Sequence, residues 1–412
     1  MRVLRLGAVI TTAALVFTAC SSSPSASGGG GGNVQEVKIG VDLPLSGGET
    51  PNGGPTLNGV KLAVSKISVP GYHVTVEAED DAVNGVHDPN QGAKNIQTLV
   101  NDSAVFAVVG PFNSSVAKAE IPVSNSAGLI QCSPANTNPS LTKPDQGAKD
   151  LRKTNPDKIA YVRVATTDDI QGAAGADIAY NVAGAKSSYV VDDTETYGKG
   201  LADVFVDQFQ KLGGTLVGRD GAGKNVTDYT SLLTAAKAKN PGFVYFGGVT
   251  ATGGGLLRKQ MISNGMGSIP FGGGDGINDG SAATASSFLN LAGPDGDMNS
   301  YSTVAAIHDI PNPDQFKADY KAMFNVDPGA YSASAYACTQ IFLEALGKVG
   351  PDREKVRAYV TDTTHKYNTA LGTLSFDANG DTSQHIISYY KFDPSTKDWA
   401  FFKQKDFGSS GS

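Results

Sequence analysis

The chain has 412 residues, 33 Lys and Arg against 40 Asp and Glu, a formal net charge of -7 and 40% hydrophobic residues. A disordered chain would be poorer in apolar residues and more heavily charged, so this one can bury a core. The mildly acidic balance gives no electrostatic footprint for nucleic acid. Its 50 glycines follow no Gly-X-Y period, and three cysteines are too few for a disulfide scaffold or a Cys-rich metal site.

The N-terminus reads as an address. Arg2 and Arg5 form a positive n-region, Leu6–Phe17 a short apolar stretch, and Thr18 and Ala19 are small residues before Cys20. Phe17-Thr18-Ala19-Cys20 resembles a lipobox, whose Cys receives a diacylglycerol; Phe17 stands where Leu or Val is usual. The alternative is an ordinary secretory signal with an incidental Cys. Ser21–Asn33 (SSSPSASGGGGGN) has no side chains able to build a core and reads as a tether. The expectation is a signal peptide over 1–19, a tether over 20–35, and a mature protein lipid-anchored to the cell membrane in an oxidising, extracytoplasmic setting. Cys132 and Cys338 then remain, either bridged to each other or buried as separate thiols.

From Val37 onward strands and helices alternate. Val37–Asp42 and Tyr72–Glu79 read as strands, Gly59–Ile67 and Asn90–Asn101 as helices, and Val105–Gly110 is apolar throughout, as a strand covered on both faces must be. Lys143–Lys158, with Pro144 and Pro156, reads as a solvated loop. The alternation restarts after Tyr161, with strands at Ser188–Asp192, Thr215–Val217 and Gly242–Phe246 and helices at Gly198–Lys211, Tyr229–Lys239 and Gly254–Asn264. Two βα trains predict an α/β fold of two doubly wound, Rossmann-like lobes. Further on, Phe316–Phe324 and Ser332–Leu346 have helical spacing, and Leu371–Phe376, Ile386–Phe392 and Trp399–Phe402 read as strands, with Asp377–Asp381 as a turn.

Enzyme signatures nearly form and fail at the residue the chemistry needs. Gly218–Asn225 (GRDGAGKN) fits a phosphate loop until its last position, where a Ser or Thr hydroxyl must hold Mg²⁺ and Asn225 stands instead. It reads as a Gly-rich loop between strand and helix. Asp377–Asp381 resembles the start of a calcium loop, but Ser388 falls where the twelfth-position Glu belongs. His73, His87, His308, His365 and His385 are scattered, and there is no HExxH, G-x-S-x-G or CxxC. Neither catalysis nor a metal or cofactor is expected.

Seven segments in order resemble the periplasmic-binding fold of the leucine/isoleucine/valine-binding type, the solute receptors of ABC transporters. They are Gly40–Gly47 (GVDLPLSG), Asp80-Asp81 with Asp88-Pro89, Val109–Ser115 (VGPFNSS), Ser133–Thr142 (SPANTNPSLT), Asp193–Leu201 (DTETYGKGL), Val244–Gly248 (VYFGG) and Gly272–Gly276 (GGGDG). The resemblance implies a type I fold whose lobes are joined by a three-stranded hinge, with crossings near Arg163–Thr166, Ser302–Ala305 and Leu371–Leu374. Lobe 1 would hold 36–164 and 303–373, and lobe 2 would hold 165–302 and 374–405.

By the same resemblance, Ser114 and Ser115 open a helix and hold a ligand α-carboxylate. The Ala135 carbonyl and the Thr137 hydroxyl contact the α-ammonium and the α-carboxylate, Asp275 pairs with the ammonium, and Tyr197 lies over the ligand. Asp275 is one methylene shorter than the Glu of the best-known relatives. Asn52, Phe112, Asn113, Thr250 and Tyr331 would line the side-chain pocket; the three polar ones make it roomier and more polar than one shaped for leucine. Asp80 and Asp81 read as turn and cap residues. The implied function is a solute-binding lipoprotein of an ABC importer that binds a branched-chain amino acid or a more polar relative as a monomer and meets a permease. The alternative is a sensory protein of the same fold for an amide or other small solute.

Overall fold

The computed structural model describes residues 34–408, so the expected export signal, Cys20 and most of the tether lie outside the described residues. Among the described residues no helix is long and apolar enough to cross a membrane.

The chain builds two parallel-cored sheets. In the first, Tyr72–Asp80, Gln35–Leu43, Val105–Val109, Gln131–Ser133 and Tyr161–Arg163 lie side by side, all parallel. In the second, Thr215–Gly221, Ser187–Asp192, Phe243–Gly247, Phe271–Gly273 and Ser300–Val304 run parallel in that spatial order, and Ile386–Asp393 and Asp398–Asp406 add an antiparallel edge. Val105–Val109 and Phe243–Gly247 are buried at every residue, as apolar strands covered on both faces must be. Each sheet with its helices is a lobe.

In both lobes the first strand lies between the second and the third. That reversal leaves a crevice at the carboxyl ends of the strands, where loops diverge to opposite faces. The first core joins Ile39, Val41, Phe106 and Val109 to Ile341, Phe342 and Leu346 of the helix Ser332–Val349. The second sheet has a core on each face, one around Phe205, Phe243 and Tyr245 and one around Phe246, Leu257 and Phe271.

Several elements differ from the sequence reading. The first helix runs Thr50–Lys66, earlier than the apolar spacing indicates, because its first turns pack glycines and small polar residues rather than a stripe of large apolar ones. Lys143–Lys158 carries a helical turn at Pro144–Gln146 and a short helix at Ala148–Leu151, with Ala148 buried and Lys143 held by Asp169 at 2.6 Å. The glycine-rich stretch after Val217 begins as strand, since Thr215–Gly221 keeps its pairing while Arg219 binds Asp192 at 2.7 Å.

The third crossing also lies later than expected. Leu371, Leu374 and Phe376 pack in the first core, and the chain enters the second sheet only at Ile386. The turn at Asp377–Asp381 stays with the first lobe, closed by the Asp377 N–H on the Asp381 carbonyl at 2.8 Å. Thr166 binds all the crossings together: its N–H donates to the Ala305 carbonyl at 3.1 Å, and its hydroxyl reaches the Gln384 and Ile386 carbonyls.

Cys132 and Cys338 form a disulfide that ties the strand Gln131–Ser133 to the helix Ser332–Val349 across a sequence separation of 206. Both residues belong to the first core. Replacing both by Ala should destabilise the protein by about 2–4 kcal/mol. Chemical denaturation of the variant and of the wild type, with and without reductant, measures this; a wild type indifferent to reductant would show the bridge contributes nothing.

Candidate ligand-binding site

The two crevices bring together loops far apart in sequence. Pro44–Asn52 follows the first strand of lobe 1, Gly110–Ser115 the third and Pro134–Thr137 the fourth. From lobe 2 come Asp193–Tyr197, Gly248–Thr250 and Gly274–Gly276, each again at the carboxyl end of a strand. Asn52, Phe112, Asn113, Ser114, Ser115, Ala135, Thr137, Thr250, Asp275 and Tyr331 are all buried, and Tyr197 packs partly buried against the second core.

Ser114 and Ser115 begin the helix Ser114–Ala127, whose N-cap Asn113 offers no side-chain cap. The first-turn N–H groups therefore point out of the helix, a direction that favours an anion. The Ser115 hydroxyl is buried without a partner, and so is that of Thr137. Ser114 Oγ accepts a long bond of 3.4 Å from the Asn138 N–H. Ala135 lies in the same loop, which Ser133 Oγ pins by accepting from the Asn136 N–H at 2.9 Å.

The other end of the site is acidic. Asp275 Oδ1 accepts from Gln171 Nε2 at 2.6 Å and the Tyr197 hydroxyl at 2.8 Å, while Oδ2 accepts from the Tyr331 hydroxyl at 2.8 Å. Tyr197 thus orients Asp275 within its own lobe, its hydroxyl also receiving the Gly276 N–H at 3.3 Å. Gly274 leaves room for this arrangement, because a Cβ there would displace the Tyr197 hydroxyl and Leu201. Tyr331 comes from lobe 1 and meets Phe112 edge-on with centroids 5.5 Å apart, so its bond to Asp275 joins the lobes. A second bond across the crevice runs from Asn138 Nδ2 to the Thr196 carbonyl at 2.7 Å.

Sequence reasoning missed Asp168 and Gln171, one turn apart at the start of the helix Asp168–Asp177. Asp168 is fully buried and neither carboxylate oxygen has a partner. Burial and then the neighbouring Asp275 charge push it well above the usual carboxylate range; the Thr137 hydroxyl lies near enough to ease that shift without closing a hydrogen bond. Asp275 is pushed up by burial, with Gln171, Tyr197 and Tyr331 pulling the other way. Arg163 is also buried but is committed to Asp381 at 2.6 Å and to the Asn138 carbonyl at 2.8 Å. Among the described residues neither Asp168 nor Asp275 has a salt bridge. The available signal was the Asp-x-x-Gln spacing just after the first crossing.

A second missed pair sits beside the pocket. Glu49 Oε1 accepts from His87 Nδ1 at 2.6 Å and from the His87 N–H at 2.9 Å, and its Oε2 accepts from Asn113 Nδ2 at 2.9 Å. Burial works against both charges. The His87 charge nevertheless holds Glu49 below its usual value, and Glu49, Asp81 and Glu195 raise His87 to about 9. Asp80 is a turn residue, accepting from the Leu45 and Ala82 N–H groups. Asp81 is not: it is fully buried with both oxygens unpartnered, and burial pushes it well above the usual range. In the pocket, Thr250 Oγ1 reaches the Gly276 carbonyl at 3.4 Å, and the Asn52 carbonyl accepts from the Thr56 hydroxyl.

Residues 36–395 match the periplasmic binding protein family, and the chain belongs to it. It is 29% identical over 355 residues to a Leu/Ile/Val-binding protein homolog of Brucella abortus, covering 84% of this chain and 88% of that one. The crystal structure of the leucine binding protein LivK from Thermotoga maritima superposes with a TM-score of 0.76 at 26% identity, over 89% of this chain and 98% of that chain. The solute binding protein of an R. palustris ABC transporter, in complex with 4-hydroxybenzoate, shares the fold with a TM-score of 0.75 at 18% identity, over 91% and 97%. The fold is that of the type I periplasmic binding proteins.

Because the Tyr331–Asp275 bond spans the crevice, Tyr331→Phe should loosen the closed form while keeping the Phe112 contact. Small-angle scattering of the ligand-free variant is expected to give a larger radius of gyration than wild type. An unchanged radius would mean that this bond does not hold the lobes together.

Proposed function

We propose that the protein is the extracytoplasmic solute-binding lipoprotein of an ABC importer and that its two lobes close on an α-amino acid. In this reading the crossings act as a hinge between lobe 1 (36–164 and 303–373, extended through Asp381) and lobe 2 (the rest of 165–405). Cys20 carries the lipid, and the closed form is what a permease receives. The observation that carries the reading is the polarity of the crevice. Asp168 and Asp275, buried and without an ion pair among the described residues, form its acidic part. The free Ser115 hydroxyl and the start of the helix Ser114–Ala127 form the part that favours an anion, and the Thr137 hydroxyl lies beside Asp168. Such a site complements a zwitterion: ammonium against the carboxylates, carboxylate against the hydroxyls and N–H groups.

The family and the printed names of the relatives support binding rather than turnover. A benzoate-type ligand, as in the R. palustris protein, brings an anion and no cation to a site that holds two buried acidic side chains, which disfavours it here. A leucine-sized amino acid has about nine heavy atoms, and micromolar binding needs about 8 kcal/mol, within the ligand-efficiency ceiling. Contacts made from both lobes stabilise only the closed form, and that difference shifts the population.

Two tests follow from the charges. Asp275→Ala should keep a native circular dichroism spectrum and weaken amino-acid binding tenfold or more in calorimetry; unchanged affinity would remove Asp275 from the site. The second is a pH effect with a defined sign. In the free protein Asp168 holds a proton above the ordinary carboxylate value of about 3.9. An ammonium beside it favours the ionised form, so between those limits binding expels a proton and affinity rises with pH, by up to about tenfold per unit. Calorimetry in buffers of different ionisation heat counts that proton, and Asp168→Asn should reduce the release, leaving only what Asp275 contributes. Equal apparent heats in all buffers, with affinity that does not rise as the pH climbs above the ordinary carboxylate value, would count against Asp168 as an ammonium partner.

A further inference from the structure

We infer that Asn113 selects ligands whose side chain carries an N–H or O–H donor, over aliphatic side chains of the same shape. This rests on the amino-acid reading above and assigns the chemistry of the side-chain pocket within it.

Asn113 occupies the N-cap of the helix that Ser114 and Ser115 open, yet its side chain caps nothing. Its amide is turned instead toward Glu49, with Nδ2 donating to Oε2 at 2.9 Å. Chemistry forces that orientation. Glu49 is ionised, since the His87 charge holds its carboxyl down, and an ionised carboxylate only accepts. Its other oxygen is already taken by the His87 ring and N–H. A flipped amide would set the Asn113 carbonyl against a carboxylate oxygen with no proton between them. The chain His87–Glu49–Asn113 therefore fixes Oδ1 as the free end of the amide.

That oxygen is buried and has no partner, in a residue only 6% exposed. Its sequence neighbours are site residues on both sides. Phe112 packs on Tyr331, which binds Asp275, and Ser114 and Ser115 form the anion-favouring helix start. An acceptor left unpaired in such a place is destabilising, and a ligand donor that reaches it removes the penalty. An aliphatic side chain of equal size leaves the oxygen unpaired. Sites built to hydrogen-bond a substrate group discriminate strongly against analogues that lack it.

The test uses near-isosteric pairs in calorimetry: asparagine against leucine, and threonine against valine, with glutamine and serine as a longer and a shorter donor. The expected result is that asparagine and threonine bind at least about tenfold more tightly than leucine and valine. Asn113→Leu should bring those ratios to one or invert them. Glu49→Gln, which can donate to or accept from the amide, should unlock its orientation and lower the ratios while Asn113 is still present. A purely structural role for Asn113 would lower the melting temperature and weaken all ligands alike, leaving the ratios where they were. Leucine binding as tightly as asparagine in the wild type, or ratios unmoved by either variant, would overturn the inference and leave the amino-acid reading standing. Failure of every amino acid to bind would overturn that reading, and this inference with it.

Discussion

Two carboxylates out of water with no cation to meet them are the constraint around which this molecule is arranged. Asp275 is satisfied by three neutral donors, Gln171, Tyr197 and Tyr331, while Asp168 has none. Neutral donors orient a carboxylate but do not cancel its charge, and the low-dielectric surroundings magnify what is left. The nearest guanidinium, Arg163, is spent on Asp381. In the proposed reading, the ammonium of the ligand supplies the missing positive charge. Asp275 and Tyr197 sit on one lobe and Thr137 and Tyr331 on the other, so a ligand that met both sets, as proposed, would favour the closed form.

The topology accounts for how such residues come together without any local sequence cluster. Both sheets place their first strand between the second and third, so each opens a crevice at its carboxyl edge, and all six site loops leave from those edges. The scaffold beneath is rigid: fully buried central strands in each lobe, and in lobe 1 the disulfide from a central strand to its covering helix. Chemistry is placed on loops, while the strands that launch them are held by packing.

What was legible in the sequence, and what was not, divides along the same line. Val105–Val109 and Phe243–Gly247 announced themselves because a strand buried on both faces has to be apolar throughout. Asp275 was visible among its glycines through the family resemblance, as were Ser114 and Thr137, and in the structure each lies buried in a loop or helix start that follows a strand. Asp168 was not visible, because an Asp at the start of a helix reads first as a favourable first-turn charge. Only the fold shows that this one is sealed from water beside a second carboxylate. Glu49 and His87 lie 38 residues apart, and no spacing rule joins them. Asp81 was misread for a related reason: its neighbour Asp80 does make the turn, and the pair looks alike until burial separates them. The third crossing was placed too early because Leu371–Phe376 has strand character, and composition does not say which of two cores a strand joins.

Arg163 ties the hinge to the site. It ends the last strand of the first sheet, where its N–H takes the Gly380 carbonyl at 3.0 Å and its guanidinium takes Asp381. The same guanidinium holds the Asn138 carbonyl at 2.8 Å and the Thr142 hydroxyl. Asn138 is the residue after Thr137; its N–H reaches Ser114 Oγ and its side chain reaches across to Thr196 in the other lobe. A buried ion pair adds little net stability over an apolar replacement, and removing one partner is costly. What it does supply is a fixed geometry. The loop that carries Thr137 is thereby clamped within lobe 1 to the segments from which the first and third crossings leave. Asp168 extends the linkage, since its N–H is held by the Thr137 carbonyl at 2.8 Å and its carboxylate lies beside Asp275. In the proposed reading, a ligand charge arriving beside Asp168 and Asp275 would therefore act on residues bonded to the loop of Thr137 and, through Thr196, across the crevice.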